Sequence, residues 1–326
     1  MTEDLLLIKK PILLVGIGGA GIKIANAAGS ALDCKCLLIS NDKKDFIHAG
    51  NCNSVFIDSG KWVNPSSYKL RAFVEQHRKE ISSMIEGFAT IICVSNLAGR
   101  MGTAMAPLLC KMAKKSSLVI SIAIMPFRFE KDRIFKSGIA LRRLREASNS
   151  TIVMDNDAFL DNNPELSKEE CFTITNSAIA EIISSISSCS IGSEMNILCT
   201  SKQNSNSESC MRDSVTMLYE NVPDASTIRR AMLYVMGGDK IPLAELNKLV
   251  SSMQGIFKEE GTTEISMSSL SSVASTDSVR VHLVASVPQE TRFDRYDPLG
   301  EIIPDALDWD EPDSAPDIQL TIQSIE

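Results

Sequence analysis

The chain has 326 residues, 44% hydrophobic and 23% charged, with a net charge of −8. This is long enough for two domains with a well-buried core and ordinary for a soluble globular protein. Every apolar run is too short to span a bilayer and the first residues show no signal-peptide pattern, so a cytoplasmic protein with no direct membrane insertion is expected.

The charge is concentrated at one end. Residues 289–326 hold eleven acidic and two basic side chains, whereas the rest of the chain carries 31 basic and 30 acidic ones. A body so near neutrality lacks the basic footprint of a nucleic-acid binder, so no nucleic acid is expected as a partner. Nine cysteines are scattered along the chain. Cys34-Lys35-Cys36 has no second half, so no metal-ligating set is read. His48, His77 and His282 stand near no serine or cysteine motif, which leaves histidine-based nucleophilic catalysis without support.

Taken in chain order, the first half alternates apolar strands with helices. Strands are read at 12–15, 36–40, 54–57, 89–94, 118–124 and 151–154, and helices begin near Ala20, Ser66, Gly102 and Lys131. This alternation predicts a doubly wound parallel sheet covered by helices, an α/β fold. Two of its strand-to-helix turns are glycine-rich. The first is Gly16-Ile17-Gly18-Gly19-Ala20-Gly21, and the second is Asn96-Leu97-Ala98-Gly99-Arg100-Met101-Gly102-Thr103-Ala104. Glycine lets backbone N–H groups approach an anion, and the following helix adds its positive end. The turns follow the first and fourth strands, which flank the point where strand order reverses in such sheets. A phosphate chain held between them is therefore expected. The same residues have plainer readings. The glycines fit tight strand-to-helix packing, Thr103 fits a helix cap, and Asn41 and Asp42 fit ordinary turn chemistry.

A long helix follows at 167–191, with Ile174, Ala178, Ile182, Ile183 and Ile186 at helical spacing and Gly192 to end it. The second half reads as a smaller α+β region. It has strands at 231–236 and 277–287, a helix at 242–257 and a polar loop at 202–209. The organisation is thus a domain at 1–170, a central helix at 171–192, a C-terminal domain at 193–288 and an acidic, disordered tail at 289–326. Truncation after Pro288 is accordingly expected to leave stability nearly intact. The apolar alternation at 318–322 fits either a docking peptide for a protein partner or a frayed strand.

Over about residues 10–288 these motifs, in this order, resemble the tubulin/FtsZ superfamily, and FtsZ more than tubulin. The second turn keeps Gly99, Gly102, Thr103, Ala106 and Pro107 of the FtsZ signature. Met125-Pro126-Phe127-Arg128-Phe129-Glu130 is similar to the family's ribose loop, with Arg133 one position early. The strand ending Asp155-Asn156-Asp157 and the pair Phe172 and Asn176 complete the likeness. The resemblance implies GTP or GDP with Mg²⁺. It implies a site of Gly16, Gly18, Gly19, Ala20, Gly21 and Asn41, joined by Gly99, Arg100, Met101, Gly102 and Thr103. Glu130 would serve the ribose, Arg133 would join the GTP site beside it, and Phe172 and Asn176 would serve the guanine. It also implies longitudinal contacts with its own copies or with another FtsZ-like subunit, in cell division or cell shape.

Two departures bear on activity. Arg100 and Met101 replace a glycine and a threonine, and Met101 removes a hydroxyl from the terminal-phosphate side. In FtsZ the long helix ends at a glycine and is followed by Asn-x-Asp-x-x-Asp, a loop that completes the neighbouring subunit's site. The loop matched to it here holds Asn196, Leu198 and Ser201, so both aspartates are missing and weak GTP hydrolysis at most is expected. Aspartate at Leu198 and Ser201 would, on this reading, restore turnover. The resemblance leaves two alternatives open: a conventional GTPase using other carboxylates, or a nucleotide-binding regulator that never polymerises.

Overall fold

The structure, a computed structural model, describes residues 5–298 apart from 33, 48, 51, 61, 63–64, 187–189, 194, 238–240, 258–263, 271–277 and 288–289. Apolar runs separated by helices build one open sheet. After β1 (Leu5–Leu7) come β2 (Ile12–Ile17), α1 (Gly18–Leu32), β3 (Lys35–Ser40) and β4 (Asn53–Phe56). Next are α2 (Ser67–Gln76), α3 (Arg78–Ile85), β5 (Thr90–Asn96), α4 (Arg100–Ala113) and β6 (Leu118–Met125). The half closes with α5 (Lys131–Ala147), β7 (Ser150–Asp155) and α6 (Asn156–Asp161). β2 and β7 are buried along their whole length, as strands covered on both faces must be.

The second half holds α7 (Lys168–Ile186), β8 (Ser190–Gly192), β9 (Met195–Thr200), α8 (Ser207–Asn221), β10 (Arg230–Met236), α9 (Leu243–Phe257), β11 (Glu264–Leu270) and β12 (Arg280–Ser286). The large sheet runs β11-β10-β12-β9-β7-β6-β5-β2-β3-β4. The strands from β4 to β9 are parallel, β9 and β10 each pair antiparallel with β12, and β11 pairs parallel with β10. β9 therefore fuses the two halves into one sheet. β2 is flanked by β3 and β5, with Val15 opposite Leu37 and Cys93. The crevice beyond the carboxyl ends of β2 and β5 is the point where strand order reverses.

Three expectations are corrected. The central helix stops at Ile186, and Ile191 lies instead in β8, paired with Leu6 of β1. In the last turn of α7 the Ser184 and Ser185 hydroxyls bond the carbonyls of Ala180 and Glu181, at 2.9 and 2.8 Å, a competition with the backbone that weakens helix continuation. The polar loop at 202–209 contains a helix start: Asn206 accepts the N–H groups of Glu208 and Ser209 and opens α8.

The third correction concerns the tail. Residues 291–298 pack on the body. A 3-10 turn at Arg292–Tyr296 is closed by a capping box between Thr291 and Asp294, and Phe293 is 2% exposed. The charges that suggested disorder are paired with the body: Arg292 with Asp155 and Asp157, Asp294 with Arg145, and Asp297 with Arg142. The apolar alternation at 318–322 lies outside the described residues.

α7 is tied to the second half by a buried polar network. His282 of β12 lies 2.6 Å from Glu181 through Nε2 and 2.9 Å from Thr200 through Nδ1, and Arg280 reaches Glu181 at 3.0 Å. Burial pushes the His282 imidazole down. Burial also tends to raise Glu181, but the His282 hydrogen bond and the Arg280 charge hold it below the usual carboxylate range.

Candidate nucleotide site

A cavity of about 940 Å³ opens at the carboxyl edge of the sheet, within the size range of small-ligand sites. It is bordered by the N-terminal turns of α1, α2 and α4, and by the first turn of α5. The first turns of α1, α2 and α4 hold no acidic residue. Each helix start leaves N–H groups without intrahelical partners and a partial positive charge. Three such ends on one cavity favour an anion there, although Asp42, Asp45 and Asp132 also line it.

The glycines divide into two roles. A Cβ on Gly16 would lie 2.6 Å from the carbonyl oxygen of Gly21, one on Gly21 2.4 Å from that of Val94, and one on Gly102 2.2 Å from that of Asn96. These three allow α1 and α4 to press against the strands, and Gly16 and Gly21 do not line the cavity. Gly18, at φ +67°, and Gly19 do line it. Ala20, Asn41, Gly99, Arg100, Met101, Gly102, Thr103 and Arg133 join them there.

The second turn is closed by its own side chains. Asn96 accepts the N–H of Ala98, and the Thr103 hydroxyl points at the carbonyls of Leu97 and Gly99, 2.8 Å from each. The start of α4, from Arg100 to Thr103, lines the cavity beside that closure. Met101 is buried against Gly18, so it bridges the two turns where a hydroxyl was expected. Arg100 is exposed at the rim, as is Lys136.

Glu130, Phe172 and Asn176 do not line the cavity. The Glu130 carboxylate accepts the N–H of Phe127 at 3.3 Å, pairs with Arg133 at 2.9 Å and lies 3.6 Å from Lys168. Phe172 packs on Phe127 with ring centroids 5.3 Å apart, and the Lys168 ammonium lies over both rings. Asn176 is half-buried on α7, the helix against which α1 packs. Beside them, Asn156 is buried with Nδ2 on the Met125 carbonyl and its Oδ1 without a partner.

Several lining residues had no motif to announce them. Asp45 accepts the Ser40 hydroxyl at 2.5 Å and stands beside Gly19, where a Cβ would meet it at 2.7 Å. Trp62 lies under the Lys69 ammonium, and Ser66 caps α2. The signal available was positional: the β4–α2 connection ends at the same sheet edge as the two glycine turns, but in serines.

The matched inter-subunit loop is not a loop. Asn196 and Leu198 lie in β9 and Ser201 directly follows it, all of them buried. Asn196 donates to Ser150 Oγ at 3.0 Å and accepts from Ser286 Oγ at 2.7 Å, while Ser201 Oγ accepts the N–H of Val281 at 3.0 Å. The run Met195-Asn196-Ile197-Leu198-Cys199-Thr200 is apolar and β-prone, and a strand vacancy between β7 and β12 takes it. Only residues 187–194 join α7 to β9, and three of them form β8. Glu194, the remaining carboxylate of that segment, lies outside the described residues.

Residues 11–164 match the sequence profile of the Tubulin/FtsZ family, GTPase domain. The chain is 27% identical over 189 residues to cell division protein FtsZ 1 of Pyrococcus abyssi, covering 55% of this chain and 50% of that protein. It is 29% identical over 189 residues to cell division protein FtsZ 2 of Halobacterium salinarum, covering 54% and 47%. The matches thus span about half the length of these relatives. In fold, the chain is similar to an empty FtsZ dimer of M. jannaschii, with a TM-score of 0.72 and 19% identity over 86% of this chain and 89% of that one. It is also similar to CetZ2 of Haloferax volcanii in a GTPγS-bound protofilament, with a TM-score of 0.65 and 20% identity over 88% and 97%.

Proposed function

The chain belongs to the tubulin/FtsZ superfamily, and from that premise we propose that it is a GTP-binding cytoskeletal or scaffold protein with little hydrolysis of its own. The nucleotide reading is carried by the three acid-free helix starts that converge on one cavity. The phosphates would meet backbone N–H groups at Gly18, Gly19 and the start of α4, with Arg100, Arg133 and Lys136 supplying positive charge. The guanine would lie toward Asn156, Phe172 and Asn176. An amide can match both the donor and the acceptor of the guanine edge.

Mg²⁺ fits the same cavity. Among the described residues no three ligating side chains cluster, but Asp42 and Asp45 line the cavity. Mg²⁺ commonly uses one or two carboxylates and takes its other ligands from phosphates and water. Bound there, it would neutralise phosphate charge.

Weak hydrolysis follows from the connection between α7 and β9. Catalysis in this family is completed by carboxylates that a subunit offers to its neighbour, and phosphoryl transfer depends on such positioning. The connection is eight residues long and three of them are tied to β1, so among the described residues it offers no carboxylate to a neighbour. The protein would hold GTP and dock through longitudinal contacts, receiving catalysis from an intact FtsZ subunit without giving it. The same missing element supports a second reading, a regulator of a partner FtsZ that does not polymerise. Sedimentation with GTP distinguishes the two.

The nucleotide assignment is tested by titration calorimetry. GTP and GDP are expected to bind more tightly than ATP, and Asn176→Leu to cost about 1–3 kcal/mol of GTP affinity, the scale of an unpaired polar group. Equal affinities for GTP and ATP would sink the guanine assignment.

A further inference from the structure

The carboxyl end of β7 carries an unusual charge. Asp155 is fully buried, and burial pushes its carboxyl up to about 6 even though the Arg292 guanidinium beside it pulls the other way. Its charged partner comes from 137 positions later in the chain, out of the strap at 291–298. Arg292 also reaches Asp157, at 3.5 Å. Asp157 in turn accepts the backbone N–H of Arg128 at 3.2 Å and pairs with its guanidinium, which Asp161 holds as well.

Arg128 belongs to the turn at 127–130. In that turn Glu130 ties the N–H of Phe127 to Arg133, and Arg133 lines the nucleotide cavity. The strap reaches the cavity by a second route. Asp297 pairs with Arg142 at 3.2 Å and Asp294 with Arg145 at 3.3 Å, both on α5. Gly138 of α5 lies so close to the strap that a Cβ there would stand 2.6 Å from the backbone of Tyr296. One residue earlier, Ser137 donates to the carbonyl of Leu97 at 2.8 Å and so holds the second phosphate turn. The first two turns of α5 supply Asp132, Arg133 and Lys136 to the cavity wall.

We propose that the strap at 291–298 is a clasp on the nucleotide cavity, in which Arg292 is a positioning residue that fixes the turn at 127–130 and the start of α5 in the arrangement that binds GTP. Arg292 touches no nucleotide. It acts through Asp155 and Asp157 on the ribose-side wall, while its neighbours act through α5 on the wall that meets the phosphates. This rests on the GTP reading of the cavity. The coupling between strap and site is an energetic one, of the size by which one site commonly biases another, about five- to a hundredfold in affinity.

The test is GTP titration of the full chain below its melting temperature. Arg292→Gln is expected to weaken GTP about tenfold while far-UV circular dichroism stays that of the parent. Arg292→Lys keeps a cation beside Asp155 and should recover most of that loss. The pair Arg292→Gln with Asp155→Asn removes both charges, leaves no unpaired buried ion, and should also bind about tenfold more weakly. Leu283→Ala, in the buried middle of β12, lowers stability away from the strap and is expected to bind GTP as the parent does. Parental affinity in the folded Arg292→Gln protein or the double variant, or an equal loss in Leu283→Ala, would overturn the clasp. A parent chain that binds no GTP would instead overturn the reading of the cavity.

Discussion

Aspartate at Leu198 and Ser201 is expected to unfold the protein rather than to create a GTPase. Leu198 is fully buried in β9, opposite Met154 of β7 and Val284 of β12. Truncating a buried leucine to alanine already costs about 2–5 kcal/mol. Aspartate adds a carboxyl with no partner, which must either ionise at great cost or take up a proton and still lack hydrogen bonds. Ser201 is also fully buried, and its hydroxyl accepts the N–H of Val281. A second carboxyl there adds a comparable penalty. Together the two substitutions remove most or all of the roughly 5–15 kcal/mol that a domain has to lose. Soluble yield and circular dichroism measure this directly. A double variant that melts within a few degrees of the parent would show that β9 is not the buried central strand.

Truncation after Pro288 should be strongly destabilising, and truncation after Pro298 nearly silent. The shorter chain loses Arg292 and leaves Asp155 buried with no cation. Breaking one side of a buried ion pair costs about 3–5 kcal/mol. It also loses the burial of Phe293, worth about 1.5–3 kcal/mol. The combined loss lowers the melting temperature by roughly ten degrees or more in a protein of this size. The longer truncation product keeps the strap and removes 28 residues, eight of them acidic and none basic. Differential scanning calorimetry of both proteins separates the cases, and equal melting temperatures would show that the strap contributes nothing.

The two predictions turn on the places where sequence and structure part. The doubly wound half was legible because local signals agree there. Apolar runs of strand length, glycines at their ends and helical spacing after them all specify the same elements. The glycine turns also marked the cavity, although the sequence could not divide Gly18 and Gly19, which only line the cavity, from Gly16, Gly21 and Gly102, which let a helix approach a strand. That division depends on what a Cβ would strike across the sheet.

β9 was misread for a related reason. Likeness to the family motif puts the run 196–201 at the position of a loop, whereas its own composition is that of a buried strand, and its neighbours β7 and β12 are 46 and 90 residues away at Asn196. The strap was missed because charged residues read as solvated. Arg292, Asp294 and Asp297 each find a partner contributed by β7 or α5, which no local pattern could reveal. Asp45 and Trp62 reach the cavity from connections whose sequence carries no phosphate signature.

We propose that this chain holds GTP in its cavity and, among its described residues, offers no carboxylate that completes hydrolysis on a neighbour. Phosphate release at saturating GTP, followed as protein concentration rises beside GTP calorimetry, tests both parts. Calorimetry should show GTP bound, while release stays near background at every concentration and rises only when an FtsZ with its aspartates intact is added. Turnover equal to that of a conventional FtsZ, growing with concentration in the unmodified protein alone, would show that the chain completes hydrolysis on its own copies.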